Sequence, residues 1–432
     1  MISRKPERIN RIRSATTQGG TPRMKRLTRA AALLVPLVLV AAACGSDDNS
    51  SSTDSTEATT EGTEATTEGT EAMTEGTEAM TEGTEAAAGG DGVAAAQAIV
   101  DAASEPATEI GPTIPLDGVP EPKTVAWLEC EQPACQTETV GFQEATAALG
   151  WDLIVIPASS GAQGPAIQQA LDQGADFIAH SGSPLATAEE QIAAAQAAGV
   201  GYYSCFATDL PDPEVNNLYI QCSDAPSVYN AGALISNWVI ADSGGTANVL
   251  LVNIPDFPVL VSEAEGAADA YAENCPDCTL ETLDTTIDSL IAGEVPAAVA
   301  SRLQANPDID YVQFTFSDLP AGVADTLEEA GLLEDVTIVG VDFSAQIGLT
   351  EIVAGRHAAW TANPKVYAGW LMVDAMARQS LGMDNPEERD NAVLPTLSVR
   401  DAATAQSLHD LGNDGWPGPE TMADQFKALW GV

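Results

Sequence analysis

The sequence predicts an α/β protein of two doubly wound parallel-sheet lobes, joined by a hinge, with a ligand cleft between them. From about residue 122 to the end, short β-branched runs alternate with longer helical stretches, the pattern of parallel sheets covered by helices. That stretch is about 310 residues long, beyond the size at which one hydrophobic core stops growing, so two lobes are expected. Parallel sheets present ligands at the carboxyl ends of their strands, which makes residues just past each strand the site candidates.

The N-terminus comes first. Met24, Lys25, Arg26 and Arg29 precede an apolar run from Ala30 to Val40, and the run ends in Ala41-Ala42-Ala43-Cys44-Gly45. A membrane-spanning helix needs about 20 apolar residues. The shorter run, closing in small residues, reads as a signal peptide over residues 1–43, with Met24 an alternative start. A cysteine directly after the small residues resembles the lipobox of bacterial lipoproteins. That resemblance implies acylation at Cys44 and a chain anchored on the extracytoplasmic face of the cell membrane. The plainer alternative is an ordinary signal peptide with an incidental cysteine.

The first 43 residues hold nine of the 17 basic residues and one of the 63 acidic ones, leaving 62 acidic residues against eight basic. Such a chain repels phosphate backbones and anionic lipid, so nucleic acid is excluded as a partner and membrane attachment falls to the lipid. Acylation of Cys44 leaves six of the seven cysteines, an even number in an oxidising compartment. Cys130 with Cys135 and Cys275 with Cys278 are near enough in sequence to close local loops, which leaves Cys205 with Cys222. A metal site at Cys275-Pro-Asp-Cys278 would need a second CxxC or a neighbouring His, and neither is present.

Residues 44–92 are dominated by Ser, Thr, Glu, Gly and Ala, with a seven-residue repeat in Thr56-Glu57-Ala58-Thr59-Thr60-Glu61-Gly62 and its successors. No repeat position carries a Leu, Ile or Val seam, and each repeat adds Gly, β-branched Thr and uncompensated Glu, which argues against a coiled coil. The expectation is a disordered spacer stretched by like charges. Residues 93–121 read as a helical or irregular lead-in.

In the globular part, Val125–Leu128, Leu153–Ile156, Phe177–His180, Gly201–Ser204, Val249–Asn253, Tyr311–Thr315 and Thr337–Val341 read as strands. Helices are expected over Thr139–Leu149, Ala166–Gln173, Ala188–Ala198, Ser227–Ala241, Val261–Asn274, Pro296–Ala305, Ala321–Ala330 and Pro419–Trp430. Three crossing segments divide the lobes into residues 122–228 with 364–395, and 229–363 with 396–432. Trp416 and the terminal helix are expected against the second lobe.

This order of elements resembles the sugar-type binding proteins of ABC importers, the class that shares its fold with ribose- and galactose-binding proteins. The phrases that carry the likeness are Ala166-Ile-Gln-Gln-Ala-Leu-Asp-Gln-Gly-Ala-Asp-Phe177, Phe316-Ser-Asp318 and Val339-Gly-Val-Asp342. The resemblance implies a monomeric protein that captures a small molecule between its lobes and delivers it to an ABC importer permease. It places Asp342 in the cleft as an acceptor for ligand hydroxyls, with Phe343 beside it, Ser317 and Asp318 at the preceding strand end, and Asn363 at the last hinge crossing.

By strand-end position alone the candidates are Gln132 and Gln136, Ser181 and Ser183, Phe206, and Asp256 with Phe257. Such Asp and Ser residues also serve as helix caps, and Phe206, Phe257 and Phe343 also serve as interlobe packing. Trp127 and Trp360 are either core or a platform for a sugar face. Pentose-type binders carry Arg in two places where this chain has Ser181-Gly-Ser-Pro184 and Val261-Ser-Glu-Ala264. The five arginines beyond the signal peptide, Arg302, Arg356, Arg378, Arg389 and Arg400, fall in helical or late segments. A sugar or related polyol therefore stands beside an aromatic or terpenoid ligand, and transport beside presentation to a receptor kinase.

An enzyme is the rival class. Only His180, His357 and His409 are available and no Gly-x-Ser-x-Gly elbow occurs, which argues against catalysis. His180-Ser-Gly-Ser183 reads as a contact or capping loop, since neighbours on one strand point to opposite faces. Gly161-Ala-Gln-Gly164 lacks the dinucleotide fingerprint, and no cofactor is implied.

Overall fold

A computed structural model describes residues 85–432 apart from 343–344, 384–385 and 413–414. The segment 1–43, Cys44, the repeats up to residue 84 and Phe343 lie outside the described residues. Helix α1 (Glu85–Ala102) begins inside the stretch that composition assigned to the spacer. Its alanines supply the helix propensity that its glycines lack, and Ala96 and Val100 are fully buried.

The first lobe follows in chain order as β1 (Thr124–Glu129), α2 (Pro133–Leu149), β2 (Asp152–Pro157), α3 (Gly164–Asp172), β3 (Phe177–Ser181), α4 (Glu189–Ala197), β4 (Gly201–Cys205) and β5 (Leu218–Gln221). Its strands pair in the order β2-β1-β3-β4-β5, all parallel. Val125 to Leu128 are fully buried, because helices cover both faces of a parallel sheet and leave no solvent-facing position for a polar residue.

The second lobe is α5 (Ala225–Asp242), β6 (Asn248–Asn253), α6 (Pro258–Asn274), β7 (Thr279–Asp284), α7 (Ile287–Ile291), α8 (Val295–Ala305), β8 (Tyr311–Phe314), α9 (Val323–Ala330), β9 (Thr337–Gly340), α10 (Thr350–Val353) and β10 (Ala359–Ala362). The chain then runs through α11 (Lys365–Ser380), α12 (Pro386–Asn391), β11 (Leu397–Val399), α13 (Ala402–Asp410) and α14 (Met422–Trp430). The second sheet is ordered β11-β10-β9-β8-β6-β7. Its edge strand β11 runs antiparallel to β10, a departure from a purely parallel sheet. Strands β5, β7, β10 and β11 were not singled out in the sequence. They are short or, in Thr279-Leu-Glu-Thr-Leu-Asp284, a polar edge strand with no continuous apolar run.

Helix α11 returns to the first lobe, where Val366, Trp370, Leu371 and Val373 share a core with Trp127 and Phe142. It crosses α2 at glycine on both sides. A Cβ on Gly141 would sit 2.1 Å from the Val366 carbonyl oxygen, and one on Gly369 would sit 2.6 Å from the Phe142 nitrogen. The terminal helix corrects an expectation. Trp416 does pack in the second core, but Met422, Phe426 and Trp430 of α14 join the first, where Trp430 stacks on Trp370 and donates Nε1–H to Asp374 at 2.7 Å. Amphipathic α14 carries no sign of which lobe it will cover, and the three stacked rings of α11 and α14 decide it. Two further crossings thus join the three expected, one after α1 and one between α13 and α14.

Three disulfides are present: Cys130–Cys135, Cys205–Cys222 and Cys275–Cys278. The CxxC cysteines are therefore paired with each other. Among the described residues no helix is long and apolar enough to cross a membrane.

Candidate functional site

The carboxyl ends of β1, β3 and β4 face those of β6, β8 and β9 across a cavity of about 100 Å³. From the first lobe it is lined by Gln132, Glu138, Ser181, Ser183, Phe206 and the Cys130–Cys135 bridge. The second lobe contributes Ile254, Phe257, Leu260, Glu263, Thr315, Phe316 and Asp342, and Lys365 reaches in from the start of α11. Aromatic and aliphatic walls with a few convergent polar groups are the usual make-up of a small-molecule site.

Lys365 is the electrostatic centre. Its ammonium donates to Asp342 Oδ2 and lies 3.8 Å from the centroid of the Phe206 ring, so one cation is held by a carboxylate from the second lobe and an aromatic face from the first. Lys365 and Asp342 are 8% and 7% exposed, which makes this a buried pair. Both of its partners are conformationally unusual. Among the described non-glycine residues only Phe206 (φ 53°), Asn217 (φ 60°) and Asp342 (φ 62°) adopt left-handed backbone, and two of the three meet at Lys365. Strained backbone of this kind persists where the surroundings over-determine it, and it concentrates at ligand sites.

Two more carboxyls face the same cavity. Glu138 on α2 accepts a hydrogen bond from Ser181 Oγ at 3.0 Å, and Glu263 lies on α6. Burial pushes the Glu138 carboxyl up to about 8 against the opposing pull of Lys365, and burial with the nearby Asp342 charge drives Glu263 well above its ordinary range. Oε2 of Glu138, Oε2 of Glu263 and Oδ1 of Asp342 have no hydrogen-bond partner within the protein. All three belong to residues that line the cavity.

His180 lies behind this wall. Its Nδ1 meets the Leu128 carbonyl oxygen at 2.8 Å, and because a carbonyl only accepts, Nδ1 carries the proton. Nε2 is then the acceptor for Ser183 Oγ at 3.1 Å. Burial depresses this imidazole to about 4, and His357, stacked on Trp360, is depressed to about 3 for the same reason. The neutral, doubly engaged ring holds the Ser181–Ser183 loop in place.

These groups set opposite slopes on stability. Glu138 and Glu263 keep their protons in the folded state to higher pH than in the unfolded chain, so their contribution is full below about pH 4.5; that of Glu138 is lost as pH rises through about 8, and that of Glu263 as pH rises through its own raised value. The two histidines bind protons only in the unfolded chain between about pH 6.5 and their depressed values, so stability also falls as pH drops below 6.5. Denaturant unfolding of the ligand-free protein is expected to peak between these flanks. E138Q is expected to flatten the alkaline one, each retained proton accounting for up to about 1.4 kcal/mol per pH unit.

Of the residues expected from the sequence, Asp342, Ser181, Ser183, Phe206, Phe257 and Gln132 line the cavity. The others do not. Gln136 faces solvent on α2, and Asp256 is exposed in the turn after β6. Ser317 and Asp318 are buried beyond β8 outside the lining, with Ser317 Oγ donating to Asp318 Oδ1 at 3.4 Å. Asn363 accepts from Thr396 Oγ1 at 3.1 Å, a bond that ties two crossing segments together. Trp127 and Trp360 are both core: each is fully buried, with its indole N–H donated to Thr139 and His357 respectively. Glu138 and Glu263 escaped the strand-end rule because each sits inside a helix, and Lys365 because it opens α11 just past β10, a strand outside the expected set. The available signal was scarcity, since Lys365 is one of three lysines beyond the signal peptide.

Residues 132–383, more than half of the chain, match the periplasmic binding protein domain family. No curated protein sequence matches. Among solved structures, an ABC transporter solute-binding protein from Mycobacterium smegmatis with bound glycerol is 20% identical, with a TM-score of 0.57 over 68% of this chain and 99% of that one. The 5-methylthioribose transporter solute-binding protein of Thermotoga lettingae, in complex with 5-methylthioribose, is 17% identical, with a TM-score of 0.58 over 74% and 99%. A glucose-galactose binding protein from Geobacillus stearothermophilus is 18% identical, with a TM-score of 0.56 over 65% and 98%. At such identities the likeness is one of fold.

Proposed function

The chain belongs to the periplasmic binding protein family, and we propose that it captures a small hydrogen-bond-donating solute in the cleft between its lobes and hands it to an ABC importer permease. The observation that carries this reading is the junction at Lys365, where strained Phe206 from one lobe and strained Asp342 from the other meet over a cavity with three unpartnered carboxyl oxygens. A solute there touches both lobes, so its binding favours the closed arrangement that a partner reads. Sugars and polyols, the solutes of the structural relatives, have the donors such oxygens need, and an aromatic ligand would suit the phenylalanine walls. The signal-peptide pattern of residues 1–43 and the position of Cys44 support a protein held by lipid at the outer face of the cell membrane, with the Thr/Glu/Gly repeats as its tether.

The test is a thermal-shift screen of the full chain against sugars, polyols, amines and aromatic compounds. A ligand at a hundred times its Kd is expected to add about 2.7 kcal/mol of stability. Asp342→Ala is expected to abolish the shift, and a hit indifferent to that substitution would place the site elsewhere.

A further inference from the structure

Resting on that reading of the cleft, we infer that the solute is a small organic cation, an ammonium carried on an apolar or sugar-like body. The site has three carboxyls, Glu138, Glu263 and Asp342, against one cation, Lys365, and no arginine lines it. Lys365 is already engaged by Asp342 and by the Phe206 ring. What remains is a set of carboxyl oxygens: Glu138 at 1% exposure and Glu263 at 4% each hold an unpartnered one, as does Asp342. Once ionised these oxygens only accept, so their donors come from the ligand. An ammonium offers three from one atom and favours the ionised carboxyls, whereas an anion disfavours them.

Burial sharpens the preference. Facing Glu138 are Lys365 from α11, Asp342 beyond β9 and Ser181 from β3, and the same Lys365 and Asp342 act on Glu263. His180 turns its ring to Leu128 and Ser183 instead. In the free site both glutamates are held protonated by desolvation, and an entering cation lets them ionise and forms charge-assisted hydrogen bonds with them. Binding therefore releases protons, and affinity rises with pH up to the point where the free carboxyls ionise on their own. Phe257 and Phe316 supply faces for the cation and its body. The chain's formal charge of −46 raises the local concentration of cations around it.

Matched pairs test this on the full chain by calorimetry: benzylamine with benzyl alcohol, cyclohexylamine with cyclohexanol, and glucosamine with glucose. In at least one pair the amine is expected to bind about tenfold or more tightly than the alcohol, with heats that differ between phosphate and Tris buffers because protons leave the site. E263Q is expected to weaken that amine about a hundredfold. It should leave the ligand-free melting temperature in place at neutral pH, since the amide copies the protonated carboxyl. Alcohols or glucose binding as tightly as the amines, amine binding without proton release, or indifference to E263Q each overturn the cation. If neutral compounds bind and depend on Asp342, solute capture stands and only the cation falls. If no compound binds, both fall.

Discussion

Lys365→Met is expected to lower the stability of the ligand-free protein by about 3–5 kcal/mol, the cost of removing one partner from a buried ion pair. The substitution leaves Asp342 with no cation in a cavity that already holds Glu138 and Glu263, so three carboxyls compete to stay neutral. It also removes the ammonium that lies 3.8 Å from the centroid of the Phe206 ring. Combining Lys365→Met with Asp342→Asn removes the unpaired charge, and the double variant is expected to recover most of the loss. Urea unfolding of the four proteins in a double-mutant cycle measures the coupling, and simple additivity would show that the pair contributes nothing beyond its separate members.

Gly369→Leu is expected to cost about 3 kcal/mol and to abolish solute binding, although the residue touches no ligand. Its Cα packs against the backbone of Gly141 and Phe142, where neither chain has a flexible side-chain end to move aside. A leucine there must push α11 off α2. Those two helices carry Lys365 and Glu138 into the cavity, so their separation dismantles the site along with the core. Circular dichroism melts with binding assays check both effects. Gly382→Leu, in a turn with open space around its Cα, is a weaker control that tests backbone strain alone.

The parallel sheets were legible because β1, β3, β4, β6, β8 and β9 are buried on both faces and therefore stand out as continuous apolar runs. Strand β7 was not, because an edge strand half-exposed to water needs no such run. The packing of α14 escaped for a different reason: an amphipathic helix reports that it is covered, and Phe426 and Trp430 do not say by what. At the site, Ser181, Phe206 and Phe257 were readable from strand ends, where topology alone points at the cleft, and Asp342 from the family resemblance carried by Val339-Gly-Val-Asp342. Glu138 and Glu263 were hidden by their helices, since an acid in an amphipathic helix normally faces solvent. Only the tertiary structure turns those two faces inward. Trp127 and Trp360 show the converse limit, because an indole needs only one internal acceptor to be buried, and Thr139 and His357 provide it.

The most direct test is a crystal structure of the protein grown with a solute that raises its melting temperature. The solute is expected between the sheets, within hydrogen-bonding distance of Asp342 and of at least one side chain from the first lobe, such as Glu138 or Ser181. Density on an outer face, or contacts confined to one lobe with the Lys365 cavity left as it is in the free protein, would contradict capture in the cleft.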